Sequence, residues 1–183
     1  MDTERGGTLS LVGLSGSGKS TVARILAERW GWRPVDLDEE IADRAGLPVS
    51  EIFKRQGEAA FRDLERALLL EMLGRERIVL ATGGGAPCAE GAMDALLAAG
   101  PTVWLQGAPQ VLATRLGGAQ DRPLLKSSSG SQILQRLREQ LHVRGPVYAR
   151  APTSVDTDDR DPQEVATEVE SLLSQTMEGP WRR

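Results

Sequence analysis

Residues 13–21 read GLSGSGKST, the stretch of this 183-residue chain that decides its fold. It matches the phosphate-loop pattern G-x-x-x-x-G-K-[ST] in full, with an apolar run at 9–12 before it and a helix-permissive segment at 22–29 after it. In such a loop, glycines let backbone N–H groups turn inward around a polyphosphate, and the following helix adds the positive end of its dipole. The full motif in this context disfavours the alternative, a glycine-rich turn that binds nothing. The sequence therefore predicts a nucleoside triphosphate site, formed by Ser15, Gly16, Ser17, Gly18, Lys19, Ser20 and Thr21.

Outward from this loop, short β-rich runs alternate with helical patterns, which predicts one α/β domain with a parallel sheet between two layers of helices. The runs at 9–12 and 78–81 lack polar–apolar alternation, as expected for strands buried on both faces. Strands are predicted at 8–14, 34–38, 78–81, 102–105 and 154–156. Helices are predicted at 19–29, 58–73, 89–98, 109–116, 131–143 and 162–175.

Two segments interrupt this alternation. Residues 39–62 form a helical excursion between the second and third strands, and residues 117–130 form a Gly/Ser-rich loop that is long enough to move. The two ends, 1–7 and 178–183, are expected to be disordered.

The composition excludes several classes of protein. The net charge of −4 argues against a nucleic-acid partner, which usually requires a basic stripe. Cys88 is the only cysteine, so no internal disulfide can form, and a reducing compartment is expected. No apolar run approaches the roughly 18 residues that a membrane span needs, and the first residues, MDTERGG, do not resemble a signal peptide. We expect a soluble, cytoplasmic, monomeric protein without a membrane partner.

The second predicted strand ends in Asp36-Leu37-Asp38. Alternation along a strand would put both carboxylates on one face, at the edge of the sheet where the phosphate loop opens and ligands bind. One carboxylate could hold Mg²⁺ through water while the other contacts a hydroxyl of the acceptor. The alternative is an acidic pair that begins a helix, which the helix dipole favours. The third predicted strand has no aspartate at its end, so Asp36 is the candidate for the second acidic metal ligand.

Three glycines follow the third predicted strand, in the segment TGGG at 82–85. They let backbone N–H groups approach a ligand closely. One glycine usually suffices for a bare turn, so we favour a loop that contacts the substrate.

The arginines form two groups. Arg62 and Arg144 could grip one carboxylate, because two converging guanidinium groups bind such an anion bidentately. Taken singly, each is more often a solvated surface arginine. Arg115 lies just before the Gly/Ser-rich loop and Arg122 lies within it, and a mobile loop that brings an arginine over a phosphate is typical of phosphoryl transfer. The alternative is a disordered basic loop.

Taken in order, these features make the chain resemble the shikimate kinases, in the nucleoside-monophosphate-kinase-like branch of phosphate-loop folds. The resemblance runs from about residue 9 to 173, nearly the whole chain. The first motif is shared by many kinases, whereas the combination of FR, GGG and R-x-x-x-Y is much more specific. The motifs that carry the resemblance are GLSGSGKST at 13–21, DLD at 36–38, IF and GEAAFR within 52–62, TGGG at 82–85, RPLL at 122–125, RGPVY at 144–148 and VDT at 155–157.

For the acceptor, the resemblance implies ATP-dependent phosphorylation of the 3-hydroxyl of shikimate. Asp38 would bind that hydroxyl and act as the base, and Arg62 and Arg144 would hold the ring carboxylate. The glycines at the acceptor would be Gly83, Gly84 and Gly85. The resemblance also implies a five-stranded sheet of order 2-3-1-4-5, with residues 39–65 as the substrate-binding segment and 117–128 as a lid.

For the nucleotide, the resemblance implies that Lys19 and Arg122 act on the phosphates. Mg²⁺ would bind Ser20, with Asp36 in its water shell. The residues around the adenine would be Arg115, Arg160 and Pro162.

Two other functions remain open from the residues themselves. One is a kinase for another small acceptor, such as gluconate, because the phosphate loop does not report on the acceptor. The other is a nucleotide-binding module without catalysis, although such a module would not need Lys19, Ser20, Asp38 and Arg122 together.

Overall fold

The computed structural model describes residues 7–118 and 130–176. Arg122, which we assigned to the phosphates, lies outside the described residues, as does the predicted lid beyond residue 118. The same holds for the end segments 1–6 and 177–183.

Five parallel strands form one sheet in the order β2-β3-β1-β4-β5, which confirms the predicted fold class and strand order. The strand with the phosphate loop, β1, is central and pairs with β3 and β4. The strands are Thr8–Val12 (β1), Arg33–Asp36 (β2), Ile78–Ala81 (β3), Thr102–Gln106 (β4) and Thr153–Asp156 (β5). Their carboxyl ends therefore meet at one edge, where the loops after β1, β2 and β3 lie side by side.

Helices cover both faces of the sheet. Leu9 and Leu11 of β1 pack against the apolar sides of α1 and α7, whereas Val12 belongs to a second core on the opposite face. Both cores are needed because every residue of β1 and β3 is buried. The helices are Lys19–Trp30 (α1), Leu37–Ala45 (α2), Val49–Leu73 (α3), Ala92–Ala99 (α4), Pro109–Gly118 (α5), Gly130–Tyr148 (α6) and Pro162–Thr176 (α7). None of them is long and apolar enough to cross a membrane, within the residues that the structure describes.

The prediction that Asp38 lies on the second strand is wrong. The strand ends at Asp36, and α2 begins at Leu37. The Asp36 carboxylate accepts hydrogen bonds from the Asp38 N–H (3.0 Å) and the Glu39 N–H (3.4 Å) and so caps the helix. The acidic first turn also suits the positive end of the helix dipole. Asp36 and Asp38 thus begin a helix, and Asp38 reaches the sheet edge from its first turn.

Three predicted helix boundaries also change. The helix predicted from residue 58 begins earlier, at Val49. Gly57, which has a non-helical backbone (φ 82°, ψ 170°), produces a kink between the first part of this helix and the predicted part. The helix predicted at 89–98 begins instead at Ala92, after a short 3₁₀ turn at Ala86–Cys88. The helix predicted to end at 143 continues through Pro146, and the Ala149 N–H still donates to the Gly145 carbonyl at 2.9 Å. This extension places Tyr148 one turn after Arg144.

Candidate active site

The phosphate loop wraps around its own lysine. Lys19 is only 8% exposed, and its Nζ donates to the carbonyl oxygens of Gly13 (2.9 Å) and Leu14 (2.8 Å). Gly18, which precedes α1, has a φ of 87°, a conformation that favours glycine. The loop therefore holds an ammonium group and the N-terminus of α1 at one place, and both attract phosphate.

Close packing beneath the loop requires glycine at position 13. A β-carbon at Gly13 would lie 2.5 Å from the Leu105 carbonyl oxygen of β4. The loop therefore rests directly on the neighbouring strand, and its position relative to the sheet is fixed by backbone contact.

Ser20 and Asp36 form an oxygen-donor pair beside the phosphate loop. The Ser20 hydroxyl donates to Asp36 Oδ2, while Oδ1 of the same carboxylate caps α2. Hydroxyl and carboxylate oxygens are the donors that Mg²⁺ prefers. Among the described residues no group of three or more His, Cys, Asp or Glu side chains could cage a metal, and Mg²⁺ usually binds through one or two side chains together with substrate phosphates. The donor set therefore fits Mg²⁺.

The three glycines after β3 lie next to the side chains that we predicted to bind the acceptor. The nearest atoms to a β-carbon built on Gly83 are Oδ1 of Asp38 (2.7 Å) and Oε1 of Glu65 (3.0 Å). At Gly84 the nearest is Nη1 of Arg144 (3.3 Å), and at Gly85 it is Nη1 of Arg62 (2.8 Å). The two guanidinium groups thus lie next to two consecutive glycines, and the Asp38 carboxylate lies next to the glycine before them. The helices that carry the two arginines are far apart in sequence.

The same glycine loop also contacts the phosphate loop. The β-carbon position of Gly84 lies 3.6 Å from both the Ser15 backbone nitrogen and the Gly13 carbonyl oxygen. The guanidinium pair and the phosphate loop therefore face one cleft, at the carboxyl edge of the sheet.

Sequence reasoning missed Glu65, a buried carboxylate of this cleft. Glu65 is 3% exposed, and its Oε2 pairs with Nη1 of Arg62 at 2.6 Å. Burial lowers the pKa of the Arg62 guanidinium, but hydrogen bonds and charge from Glu65 and Glu58 outweigh it and raise that pKa. The signal was present in the sequence, since Glu65 follows Arg62 by three residues and such pairs share a helix face.

Sequence reasoning also left Tyr148 without a place in the site. Its ring is completely buried, and its hydroxyl donates to the carbonyl oxygen of Gly84. Burial raises the pKa of this phenol to about 12, so the hydroxyl stays protonated and able to donate well above neutral pH. The R-x-x-x-Y spacing carried the signal, because residues four apart lie on one face of a helix.

The residues predicted at the adenine lie around the loop after β5. Arg115 donates to the carbonyl of Thr157 and, at 3.2 Å, to its hydroxyl, and reaches the Gly16 carbonyl at 3.5 Å. Arg160 donates to the Asp156 carbonyl at 3.1 Å and pairs with Glu168. Pro162 is exposed at the first position of α7. These contacts connect the phosphate loop to the loop after β5.

The fold and this cleft define a phosphate-loop kinase that transfers a phosphoryl group to a small acceptor. A family model described as Shikimate kinase matches residues 15–174. The chain belongs to the shikimate kinase family, and its activity is the ATP-dependent phosphorylation of shikimate in aromatic biosynthesis. The family thus answers the question of the acceptor, which the phosphate loop left open.

Relatives match over almost their whole length. The shikimate kinase of Paramagnetospirillum magneticum is 42% identical and covers 92% of this chain and 86% of its own. That of Moorella thermoacetica is 38% identical and covers 94% of this chain and 97% of its own. The solved structure of the Acinetobacter baumannii shikimate kinase in complex with shikimate superposes with a TM-score of 0.86, at 33% identity, and covers 96% of this chain and 97% of that one.

Proposed function

We propose that the described cleft phosphorylates the 3-hydroxyl of shikimate, with the acceptor held between the glycine loop and the phosphate loop. The observation that carries this proposal is the convergence of Arg62 and Arg144 on consecutive glycines, next to the phosphate loop at Ser15. Two guanidinium groups at one place form a bidentate site for a carboxylate. A carboxylated ring fixed there would extend toward the phosphate loop.

Asp38 is the proposed base for the reacting hydroxyl. Its carboxylate approaches the glycine loop at Gly83, next to the residues that would hold the ring. A carboxylate within hydrogen-bond reach of a hydroxyl can orient it and accept its proton as the bond to phosphorus forms. Arg62 and Arg144 form what we call the carboxylate clamp. Because the clamp would hold the ring by its carboxylate, it would limit which hydroxyl of the ring reaches Asp38.

The transferred phosphoryl group would be held by Lys19, by the backbone N–H groups of the phosphate loop and by Arg122. Lys19 would exchange its contacts with the Gly13 and Leu14 carbonyls for phosphate oxygens. The role of Arg122 rests on the family resemblance and on its position in the predicted lid. Phosphoryl transfer depends mainly on such positioning and charge neutralisation.

Mg²⁺ would be held by the Ser20 hydroxyl, with Asp36 in its water shell. When bound, the ion neutralises charge on the phosphate oxygens. We also propose that the protein works as a monomer in the cytoplasm, with ATP and shikimate as its small-molecule partners.

The direct test is ADP release at saturating MgATP with and without shikimate. We expect shikimate to stimulate release strongly, and gluconate or quinate to do so weakly or not at all. ADP release that no acceptor stimulates would contradict the proposal.

Arg144→Ala tests the clamp. We expect shikimate turnover to fall by about tenfold to a hundredfold in kcat/KM, since a charge-assisted hydrogen bond to the carboxylate is lost, while ATP affinity stays unchanged. The measurement is steady-state kinetics with titration of each substrate. The matched control is Arg138→Ala, an exposed arginine of the same helix, which should change neither KM. Unchanged shikimate KM and turnover in the Arg144 variant would refute the clamp.

Gly85→Ala tests the same clamp from the loop. The new β-carbon would meet Nη1 of Arg62 at 2.8 Å, and the backbone at Gly85 (φ −91°, ψ −23°) accepts alanine without strain. The fold should therefore persist while Arg62 is displaced, and shikimate KM should rise roughly tenfold or more, because small misplacements at a reacting site are costly. Gly74→Ala, at another right-handed helical glycine far from the cleft, should leave both KM values unchanged. Equal kinetics for the two variants would count against a role for Arg62.

A further inference from the structure

The R-x-x-x-Y spacing of Arg144 and Tyr148 is only half explained by the proposed function. Tyr148 is the only tyrosine of the chain and is completely buried. Its ring packs 5.9 Å from that of Trp104, centroid to centroid. A buried hydroxyl needs a partner, and here the partner is the Gly84 carbonyl. The phenol is therefore fixed at both its apolar and its polar end.

The Gly84 carbonyl belongs to a glycine segment in which the carbonyls on either side, those of Gly83 and Gly85, accept from the N–H groups of Ala86 (3.2 Å) and Cys88 (3.0 Å). Glycine residues have more backbone freedom than any other, and three follow one another here. In a trans peptide unit, the carbonyl of one residue and the N–H of the next point in opposite directions. When Tyr148 holds the Gly84 carbonyl, the Gly85 N–H must therefore point away from Tyr148. The Tyr148 hydrogen bond thus holds the one glycine carbonyl of this loop that lies between the two backbone-bonded ones, and with it a peptide group beside both guanidinium groups.

Arg144 approaches the same glycine that Tyr148 holds. The two residues are one helical turn apart on α6, and Nη1 of Arg144 lies 3.3 Å from the β-carbon position of Gly84. The positive charge of Arg144 opposes the increase in the pKa of Tyr148 that burial causes. A phenol can accept from a guanidinium group while it donates to a carbonyl. Tyr148 therefore holds the glycine loop of the proposed acceptor site from a position one helical turn after Arg144.

We propose that Tyr148 is a positioning residue for the acceptor, which fixes the Arg144 guanidinium and the Gly84–Gly85 peptide group in the orientation that receives the ring carboxylate. The inference rests on the proposed function. It assigns no contact between Tyr148 and the acceptor itself.

Tyr148→Phe removes the hydroxyl and keeps the ring. We expect shikimate KM to rise about tenfold, the effect of one buried hydrogen bond, while ATP KM stays within about twofold. The matched control is Thr8→Val, which removes another buried hydroxyl that donates to a backbone carbonyl, that of Arg75 at 2.9 Å, at the opposite edge of the sheet. Both variants should lose thermal stability, but only the Tyr148 variant should change shikimate KM. An unchanged shikimate KM, or equal changes in both KM values, would overturn the proposal.

The methyl ester of shikimate distinguishes two effects of Tyr148→Phe, the loss of Arg144 positioning and a general disturbance of the active site. The ester lacks the anionic carboxylate, so its turnover should fall in the wild-type enzyme but should fall no further in Tyr148→Phe. A tenfold penalty for the variant with the ester as well would overturn the inference. If the wild-type enzyme shows no ADP release that depends on shikimate, the proposed function fails instead, and the two failures are thus distinguishable.

A spectroscopic measurement needs no variant, because the chain has a single tyrosine. With ¹³C at the phenol carbon of tyrosine, the protein should give one NMR signal from Tyr148. Saturating shikimate should shift this signal, since the carboxylate changes the charge next to Arg144, and a non-hydrolysable ATP analogue alone should shift it much less. A signal that shikimate leaves unmoved, at a concentration where calorimetry shows full binding, would overturn the proposal.

Discussion

Replacing Lys19 with alanine should lower kcat by about a thousandfold, the range found when one preorganised donor to a developing charge is removed. Lys19 is the buried cation of the phosphate loop, and its Nζ is held by two carbonyl oxygens of that loop. Phosphate oxygens bind an ammonium group more strongly than carbonyl oxygens do, so the side chain can move onto the nucleotide. The measurement is kcat at saturating MgATP and shikimate, with circular dichroism to show that the helices persist.

Lys54→Ala is the matched control for this prediction. Lys54 is exposed on α3, where it pairs with Glu51 at 3.0 Å. Its removal should change kcat by less than about twofold, because exposed ion pairs contribute little. A Lys19 variant that retains more than a tenth of wild-type kcat would mean that the phosphate loop does not act as proposed.

Replacing Asp38 with asparagine should lower kcat by about a hundredfold to ten-thousandfold, the usual contribution of a general base. The amide has nearly the shape of the carboxylate, so contacts near Gly83 are kept while the proton acceptor is lost. ATP affinity should stay unchanged, because Asp36, not Asp38, pairs with Ser20 beside the phosphate loop. Equilibrium binding of an ATP analogue, measured beside kcat, separates the two effects.

Asp43→Asn is the control, since Asp43 is an exposed aspartate of the same helix. It should leave kcat unchanged. If Asp38→Asn weakens ATP binding as much as it lowers kcat, Asp38 would belong to the metal and not to the acceptor hydroxyl.

The second strand shows why some of the local structure escaped prediction. The segment Asp36-Leu37-Asp38 fits a strand by alternation and a helix start by its acidic residues. Whether the segment forms a strand or begins a helix depends on the hydrogen bonds that the Asp36 side chain accepts from the N–H groups of Asp38 and Glu39. The alternation of polar and apolar residues contains no information about these bonds. Because α2 begins at Leu37, Asp38 lies in its first turn and approaches the glycine loop from there.

Helix α6 shows the same limit at its C-terminal end. The sequence favoured an end at residue 143, but the helix runs through Pro146 to Tyr148. Burial of the Tyr148 ring beside Trp104 and its hydrogen bond to Gly84 stabilise the last turn. These partners come from β4 and from the glycine loop, so they become visible only when distant segments pack together.

The sequence by itself determined the phosphate loop, the parallel α/β fold and the family, because each depends on contiguous motifs and on residue periodicity along one segment. Only the tertiary structure decided that Arg62, Arg144 and Asp38 meet along three consecutive glycines, and that Glu65 and Tyr148 join them. The physical reason is that carboxyl ends of neighbouring parallel strands share an edge, whereas the burial and direction of each side chain there depend on helices packed from elsewhere in the chain.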